Sequence, residues 1–347
     1  MTNYIKTCEF VSPRHPDKTC DFIADSILDE YLKHDPLSRV AVEVMGGHGR
    51  ITVSGEVTSH ANGNVDIENI VQEIVGPSFD IHVKVVPQSP SIAHGVDEGG
   101  AGDQGIMVGY ACRETENFMP LEYELARNLC QEIYKVYPYD GKVQVTVEFP
   151  SPGRRAVRGE VATPPALRAP SPGRGGKIKT VVASFQNSKS AELLELVKSK
   201  INSEEYLINP AGEWTLGGFD ADSGLSGRKI VIDAYGPNVP VGGGSFSGKD
   251  FTKVDRSGAY MARKIAVDLQ KQNNTKEVLV KLAYAIGKKD PVMASVVVDG
   301  ERLPFPPGYD LSPAGIREAL KLNQVLYKET SVWGHFGRGF DLDQESQ

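Results

Sequence analysis

The stretch Gly242-Gly-Gly-Ser-Phe-Ser-Gly-Lys-Asp-Phe-Thr-Lys-Val-Asp-Arg256 is the densest cluster of glycines and charges in the chain, and it opens a predicted helix over 256–271. The spacing from Gly243 to Lys249 meets most of a Walker A pattern, but Asp250 stands where that loop needs Ser or Thr to hold magnesium. A P-loop NTPase is therefore disfavoured. Small residues still let backbone N–H groups approach a polyanion, whereas the alternative interpretation is a solvated basic loop.

Three further glycine-rich or helix-opening segments carry the same kinds of side chain. Ser12–Lys18 brings an imidazole, a carboxylate and an ammonium to a helix start, Gly99–Gly105 sets Asp103 and Gln104 among four glycines, and Asp220–Lys229 adds two acids and two cations. Each has a structural alternative, a helix cap for the first and ordinary turns for the others. Together, the cations and acids suit a polyphosphate bridged by a divalent metal. The cations are Lys18, Arg228, Lys229, Lys249, Lys253 and Arg256, and the acids are Asp17, Asp103, Asp222 and Asp255.

The remaining sequence predicts an α+β fold in which strands and helices interleave in three stretches of similar size. Helices are expected at 16–33, 64–75, 121–134, 190–201, 256–271 and 312–324, and strands at 39–45, 50–57, 81–86, 142–149, 177–185, 228–235 and 293–299. Residues 89–105 read as a glycine-rich loop. The Pro-, Gly- and Arg-rich segment 150–176 predicts a flexible basic insertion, with phosphate or nucleic-acid binding as the alternative.

Composition excludes several classes of protein. The formal net charge of −7 argues against a nucleic-acid binder, and no apolar run approaches the roughly 18 residues that a membrane span needs. The N-terminus lacks the apolar core of a signal peptide, and the four cysteines show no CxxC spacing. We therefore expect a reduced, cytoplasmic protein whose cysteines at 8, 20, 112 and 130 serve packing.

With this combination of glycine-rich and charged segments, the chain resembles the S-adenosylmethionine synthetase (methionine adenosyltransferase) family along nearly its whole length. The resemblance rests on His15-Pro-Asp-Lys18, Gly100-Ala-Gly-Asp-Gln-Gly105, Gly224-Leu-Ser-Gly-Arg-Lys229, Gly242–Asp250 and Lys253-Val-Asp-Arg256, in the family's order. It implies three similar subdomains with pseudo-threefold symmetry, each a sheet covered by helices. We place them at 1–98, 99–216 with the insertion 150–176, and 217–347.

The resemblance further implies that methionine sulfur attacks C5′ of ATP and expels triphosphate, which is then hydrolysed to pyrophosphate and phosphate. By matching motif positions, the catalytic residues would be His15, Lys18, Asp103, Lys142, Asp222, Arg228, Lys229 and Lys249. The ATP contacts would be His15, Asp140, Lys142, Glu213, Trp214, Asp222, Arg228, Lys229, Ser245 and Lys249, and the methionine contacts would be Glu56, His94, Asp222 and Lys253. Asp17 and Asp255 would bind Mg²⁺ and Glu43 would help to bind K⁺.

The chain departs from the family pattern in three places. His94 stands where the family has a glutamine, the lid segment 94–102 is short, and Glu213-Trp214 replaces a basic residue followed by Phe. The resemblance also implies a homodimer or a dimer of dimers with the active site at the dimer interface. Two other functions remain open at this point, namely a silent nucleotide-binding subunit and a triphosphatase that lacks alkyl transfer.

Overall fold

The computed structural model describes residues 3–150, 176–323 and 327–339, so nearly all of the predicted insertion 150–176 lies outside the described residues. The strands are β1 Tyr4–Val11, β2 Arg39–Gly47, β3 Arg50–Thr58, β4 Asp80–Val86, β5 Gly105–Cys112, β6 Gly141–Phe149, β7 Lys177–Phe185, β8 Glu205–Ile208, β9 Gly224–Leu225, β10 Glu277–Tyr284, β11 Met293–Val298 and β12 Glu301–Leu303. The helices are α1 Pro16–His34, α2 Ile67–Val75, α3 Pro90–Asp97, α4 Leu121–Tyr134, α5 Ser190–Lys200, α6 Ile230–Asp233, α7 Val254–Asn273, α8 Pro313–Ala319 and α9 Tyr327–Val332.

These strands form three four-stranded sheets in the described part of the chain, with the orders β1-β6-β7-β8, β4-β3-β2-β9 and β12-β11-β10-β5. Neighbouring strands are antiparallel except in the pairs β3·β4 and β7·β8, which are parallel. One long helix packs on each sheet: α4 on β1 and β6, α1 on β2, and α7 on β5 and β10. The predicted α+β class with three sheet-and-helix units is therefore confirmed.

The sheets do not follow chain order. Strand β1 lies in the first predicted subdomain but pairs with β6, with Tyr4 opposite Phe149. Strand β5 likewise pairs with the distant β10, and the short β9 adds Leu225 beside Met45 of β2. Residues far apart in sequence thus meet at shared sheet edges, while the subdomain boundaries at 98/99 and 216/217 stay a prediction.

Helix α1 is buried on both of its faces. Its apolar residues Cys20, Ala24 and Ile27 are fully enclosed. Asp17, Asp21 and Asp25, which an amphipathic helix would turn to solvent, are fully enclosed too, and Asp29 is half-buried. Four aspartates spaced by four residues accept backbone N–H groups from residues beyond 224: Asp17 from Leu225, Asp21 from Gly227, Asp25 from Gly248, and Asp29 from Tyr327 and Lys328. Carboxylates at this spacing share one helix face, so α1 holds several C-terminal segments along a single row of acids.

Three predicted elements differ from the structure. Residues 228–235 were expected as a strand because Ile230-Val-Ile is β-branched, but they form the short helix α6. Tertiary contacts decide here, since the carboxylate of Asp233 pairs with Lys18 of α1. The predicted loop 89–105 contains α3, which begins with Pro90 at a first helical position, and the helix expected over 312–324 ends at Ala319.

Two predictions of chemical character can also be compared with the structure. All four cysteines are buried and unpaired, as expected for packing residues. Among the described residues, no helix combines the length and the apolarity that crossing a membrane requires.

Candidate active site

The N-terminus of α1 gathers the first group of predicted site residues. His15 is the N-cap residue, and its Nδ1 accepts a hydrogen bond from the Asp17 backbone N–H at 3.2 Å. The Asp17 carboxylate accepts one hydrogen bond from Leu225 N–H at 2.9 Å and one from Lys229 Nζ at 2.5 Å. The end of α1 and the 224–229 segment are therefore one unit.

Cations surround this helix end. Arg228 Nε lies 3.5 Å from Asp17 Oδ1, and the Arg228 side chain remains half exposed. Burial, followed by the charges of Lys229 and Lys142, lowers the pKa of His15 to about 3, so its ring is neutral at physiological pH. Burial acts to raise the pKa of Asp17, but the hydrogen bonds from Lys229 and Leu225 outweigh it and lower that pKa. The site thus presents fixed cations, an ionised carboxylate and a neutral imidazole.

A second group lies on the glycine-rich 242–256 stretch. Lys249 Nζ donates to Asp255 Oδ2 at 2.7 Å, and both side chains keep a small exposed fraction. The Ser226 hydroxyl donates to Glu43 and also accepts the Val44 backbone N–H at 2.9 Å. Burial raises the pKa of Glu43 although Ser226 and Lys249 favour its charged form.

The two groups are neighbours because their loops touch. A Cβ atom added at Gly227, whose φ is +78°, would lie 2.6 Å from Cβ of Ser245. Only glycine allows that approach and that backbone conformation. The Ser245 hydroxyl is buried and has no hydrogen-bond partner in the described part of the chain.

The structure divides the six cations predicted for the polyphosphate into two sets. Arg228, Lys229 and Lys249 line the two groups described above, whereas Lys18, Lys253 and Arg256 are buried in internal ion pairs. Asp250, the residue that breaks the Walker A pattern, accepts Val40 N–H, Thr252 N–H and Lys253 Nζ. It is a fully buried clamp between β2 and the start of α7.

Asp140, Trp214 and Glu213 are further predicted ATP contacts. Asp140 Oδ2 accepts the Gly218 N–H at 3.1 Å, and burial raises the pKa of Asp140. Trp214 is half-buried and donates through Nε1 to Ser184 Oγ at 3.0 Å, which fixes its ring. Glu213 instead accepts Ser190 N–H at 2.9 Å and Lys189 Nζ at 3.0 Å, so its side chain serves the start of α5.

The predicted methionine contacts Glu56, His94 and Asp222 and the predicted catalytic residue Asp103 are the least clustered part of the site. Asp103, Asp222 and Glu56 are exposed on separate segments, although Glu56 stands opposite Ala41, which itself bridges to Lys249. His94 on α3 is 77 % exposed and its nearest acid is Glu98, 3.6 Å away. Within this chain, these residues face solvent.

The carboxylates of Asp17 and Asp255 suit a metal ion that is held mainly by the phosphates of a bound substrate. No group of three His, Cys, Asp or Glu side chains suited to a metal occurs among the residues that the structure describes. Asp17 and Asp255 each stand alone beside an ammonium, and Mg²⁺ is often bound by one or two carboxylates together with substrate phosphates and water. The residues therefore fit metal–phosphate binding rather than a closed metal cage.

Sequence reasoning missed Asp21, Ser226 and Asp233, which hold the site residues in place. Asp21 and Asp233 share the Lys18 ammonium, and Ser226 links Glu43 to Val44. The spacing of four between Asp17 and Asp21 was the available signal, because it places both on one face of α1. No local pattern marks Asp233 or Ser226.

Comparisons with known proteins match the chain along nearly its whole length. Three family models match in order: S-adenosylmethionine synthetase N-terminal domain at residues 3–79, central domain at 98–214 and C-terminal domain at 216–346. The S-adenosylmethionine synthase of Desulforudis audaxviator is 39% identical, with 98% of this chain and 94% of that protein covered. The proteins of the same name from Pelagibacter ubique and Deinococcus radiodurans are each 38% identical, over 97% and 96% of this chain and 94% and 93% of their own lengths.

Proposed function

The chain belongs to the S-adenosylmethionine synthetase family and is a methionine adenosyltransferase that makes S-adenosylmethionine, and we propose that its methionine substrate attacks C5′ of ATP directly. In this proposal, a C–S bond forms as the C5′–O bond breaks, and triphosphate leaves. The observation that carries the proposal is the contact between the 224–229 and 242–256 loops, which brings Arg228, Lys229 and Lys249 to one region.

The cations of the site suit a displacement in which triphosphate is the leaving group. A thioether sulfur carries no proton, so the reaction needs no general base, and catalysis depends on positioning and on stabilising the leaving group. Arg228, Lys229 and Lys249, together with the exposed Lys142, would neutralise the departing triphosphate. We propose that the imidazole of His15 also contacts the phosphates. The same residues would then hold triphosphate for hydrolysis to pyrophosphate and phosphate.

Carboxylates complete the proposed substrate contacts. Asp103 and Asp222 would face the positive charge that develops on sulfur, and Glu56, His94 and Lys253 would contact methionine. Lys253 is buried on Asp250, so its part requires a local rearrangement or an indirect contact. Asp140, Trp214 and Ser245 would contact the nucleotide, and Glu213 would contact it through its backbone.

We propose Mg²⁺ and K⁺ as cofactors. Asp17 and Asp255 would hold Mg²⁺ and Glu43 would help to hold K⁺, and the divalent ion would supply charge neutralisation along the phosphate chain. The Lys229 and Lys249 ammonium groups would then exchange their carboxylate partners for phosphate oxygens.

We further propose that two chains combine to complete each site, in a homodimer or a dimer of dimers. Met45 is 57% exposed beside Leu225, which is 39% exposed, on the sheet face that also carries Glu43. Exposed apolar side chains on the face that carries a proposed site residue favour a partner surface there. Sedimentation of active enzyme at the mass of a single 37.7 kDa chain would contradict this.

One assay tests the function. ATP, methionine, Mg²⁺ and K⁺ are supplied, and S-adenosylmethionine is followed by mass while phosphate release is measured with and without methionine. We expect methionine-dependent product that Lys249→Ala abolishes. Phosphate release without S-adenosylmethionine would indicate a triphosphatase, and ATP binding without either product would indicate a silent subunit.

A further inference from the structure

Lys18 lies in the first turn of α1, three residues after the N-cap His15, but its ammonium pairs with carboxylates other than Asp17. Lys18 is 2% exposed, and its Nζ lies 2.9 Å from Asp21 Oδ2 and 2.5 Å from Asp233 Oδ1. An ammonium has three donors, and two of them are used inside the protein. Only one N–H donor of the buried Lys18 ammonium therefore remains for a substrate phosphate.

The two aspartates that Lys18 joins hold opposite ends of one segment. Asp21 Oδ1 accepts the Gly227 N–H at 2.8 Å, and Asp233 ends α6. The residues between these two points include Arg228 and Lys229, the cations that flank Asp17. Asp233 is itself fixed from the other side, because its carbonyl accepts the His335 N–H at 2.9 Å.

We propose that Lys18 is a positioning residue that clamps residues 227–233, and so sets Arg228 and Lys229 against the substrate, rather than a residue that contacts phosphate. This inference rests on the proposed function of that segment. The clamp also reaches the second loop, because Gly227 touches Ser245. Removal of the Lys18 charge leaves two carboxylates together in the interior, which disfavours the present position of the segment.

A double-mutant cycle separates the two roles, because residues that act through one another give non-additive effects. We expect Lys18→Met to lower kcat/KM for ATP about tenfold while KM for methionine changes by less than about twofold. In a Lys229→Met background, the further loss caused by Lys18→Met should shrink to about twofold. Adding Asp233→Asn to Lys18→Met should recover about threefold of the loss, because one of the two like charges is gone. Additive losses with no recovery would overturn the proposal.

A footprinting measurement covers the case in which Lys18→Met does not fold. Wild-type enzyme is acetylated with acetic anhydride, with and without Mg²⁺ and a non-hydrolysable imido analogue of ATP, and each lysine is read by mass spectrometry. Lys18 should stay unmodified in both conditions, whereas the exposed Lys142 should be modified and then protected by the analogue. Modification of Lys18 that the analogue suppresses would show direct contact. This readout needs no turnover, so failure of the proposed function would appear separately, as wild-type enzyme that makes no S-adenosylmethionine.

Discussion

Asp25 and Arg256 lie 231 residues apart in sequence but are joined by two hydrogen bonds in the interior, Nη1 to Oδ1 at 2.6 Å and Nη2 to Oδ2 at 2.8 Å. Arg256 also stacks on Tyr327, with its guanidinium carbon 4.3 Å from the ring centroid. This pair ties α1 to the start of α7 and to α9. It therefore explains why a cation at the end of the glycine-rich stretch is unavailable to a phosphate.

Breaking this pair should destabilise the fold strongly. Arg256→Met leaves the Asp25 carboxylate buried without a partner, and we expect a loss of about 3 to 5 kcal/mol in the free energy of unfolding. The exposed pair Arg39–Asp97 is the matched control, because Arg39→Met should cost about 1 kcal/mol or less. Urea denaturation at one fixed protein concentration measures both. Equal losses of unfolding free energy in the two variants would show that the buried pair stabilises the fold no more than the exposed pair does.

Acid should destabilise the protein through His335. Burial, together with the charges of Arg256 and Lys18, holds the pKa of His335 well below its ordinary value of 6.5. The unfolded chain therefore takes up a proton as the pH falls below about 6.5 while the native protein does not, so stability falls with falling pH. We expect wild type to lose up to about 1.4 kcal/mol per pH unit more than His335→Asn between about pH 6 and pH 5. Parallel slopes in the two proteins would contradict the assignment.

Restoring the Walker A pattern should harm the protein. Asp250→Ser supplies the hydroxyl residue that follows the lysine in that motif, but it removes the carboxylate that holds Lys253 and two backbone N–H groups. We expect a loss of about 3 kcal/mol or more in stability and no ATPase activity independent of methionine. Ser247→Ala is the control in the same loop. The Ser247 hydroxyl is buried without a hydrogen-bond partner in the ranges that the structure describes, so its removal should change stability by less than about 1 kcal/mol.

A methyl group at position 244 should disturb the proposed metal site. A Cβ atom at Gly244 would overlap the Asp255 carboxyl group and push it away from Lys249. We expect Gly244→Ala to raise the Mg²⁺ concentration for half-maximal S-adenosylmethionine formation about tenfold. Gly63→Ala is the matched control, because an added Cβ there meets nothing within 4 Å. An unchanged Mg²⁺ requirement in Gly244→Ala would count against Asp255 as a metal-binding residue.

Local sequence patterns predicted much of the fold. The α4 range Leu121–Tyr134 and the α1 start at Pro16 agree with the structure because apolar spacing and proline position are local signals. No strand was predicted for the residues of β1. The β-branched run at 230–232 predicted a strand, but these residues form a helix because Asp233 pairs with Lys18. Pairing between distant strands, such as β1 with β6, also cannot be read from local spacing.

In the candidate site, too, local motifs predicted some features and tertiary packing decided others. The motif positions of His15, Asp17 and Lys229 predicted side chains that the structure brings close together, and Lys249 pairs with the predicted metal ligand Asp255. Residue type alone could not separate cations that face a ligand from cations that neutralise buried aspartates. Lys18 and Arg256 belong to the second set because Asp21, Asp233 and Asp25 lie beside them, and that proximity is created by tertiary packing.

The row of aspartates along α1 has a consequence for how the chain is made. Helix α1 is complete once residue 34 has been synthesised, but its partners extend to Lys328. At about 5 to 20 residues per second, a ribosome needs roughly 15 to 60 seconds to deliver them. During that interval, the four carboxylates of α1 lack some or all of the backbone N–H groups that they bind in the native structure. The nascent chain should therefore recruit chaperones early and release them only after the last segment has emerged.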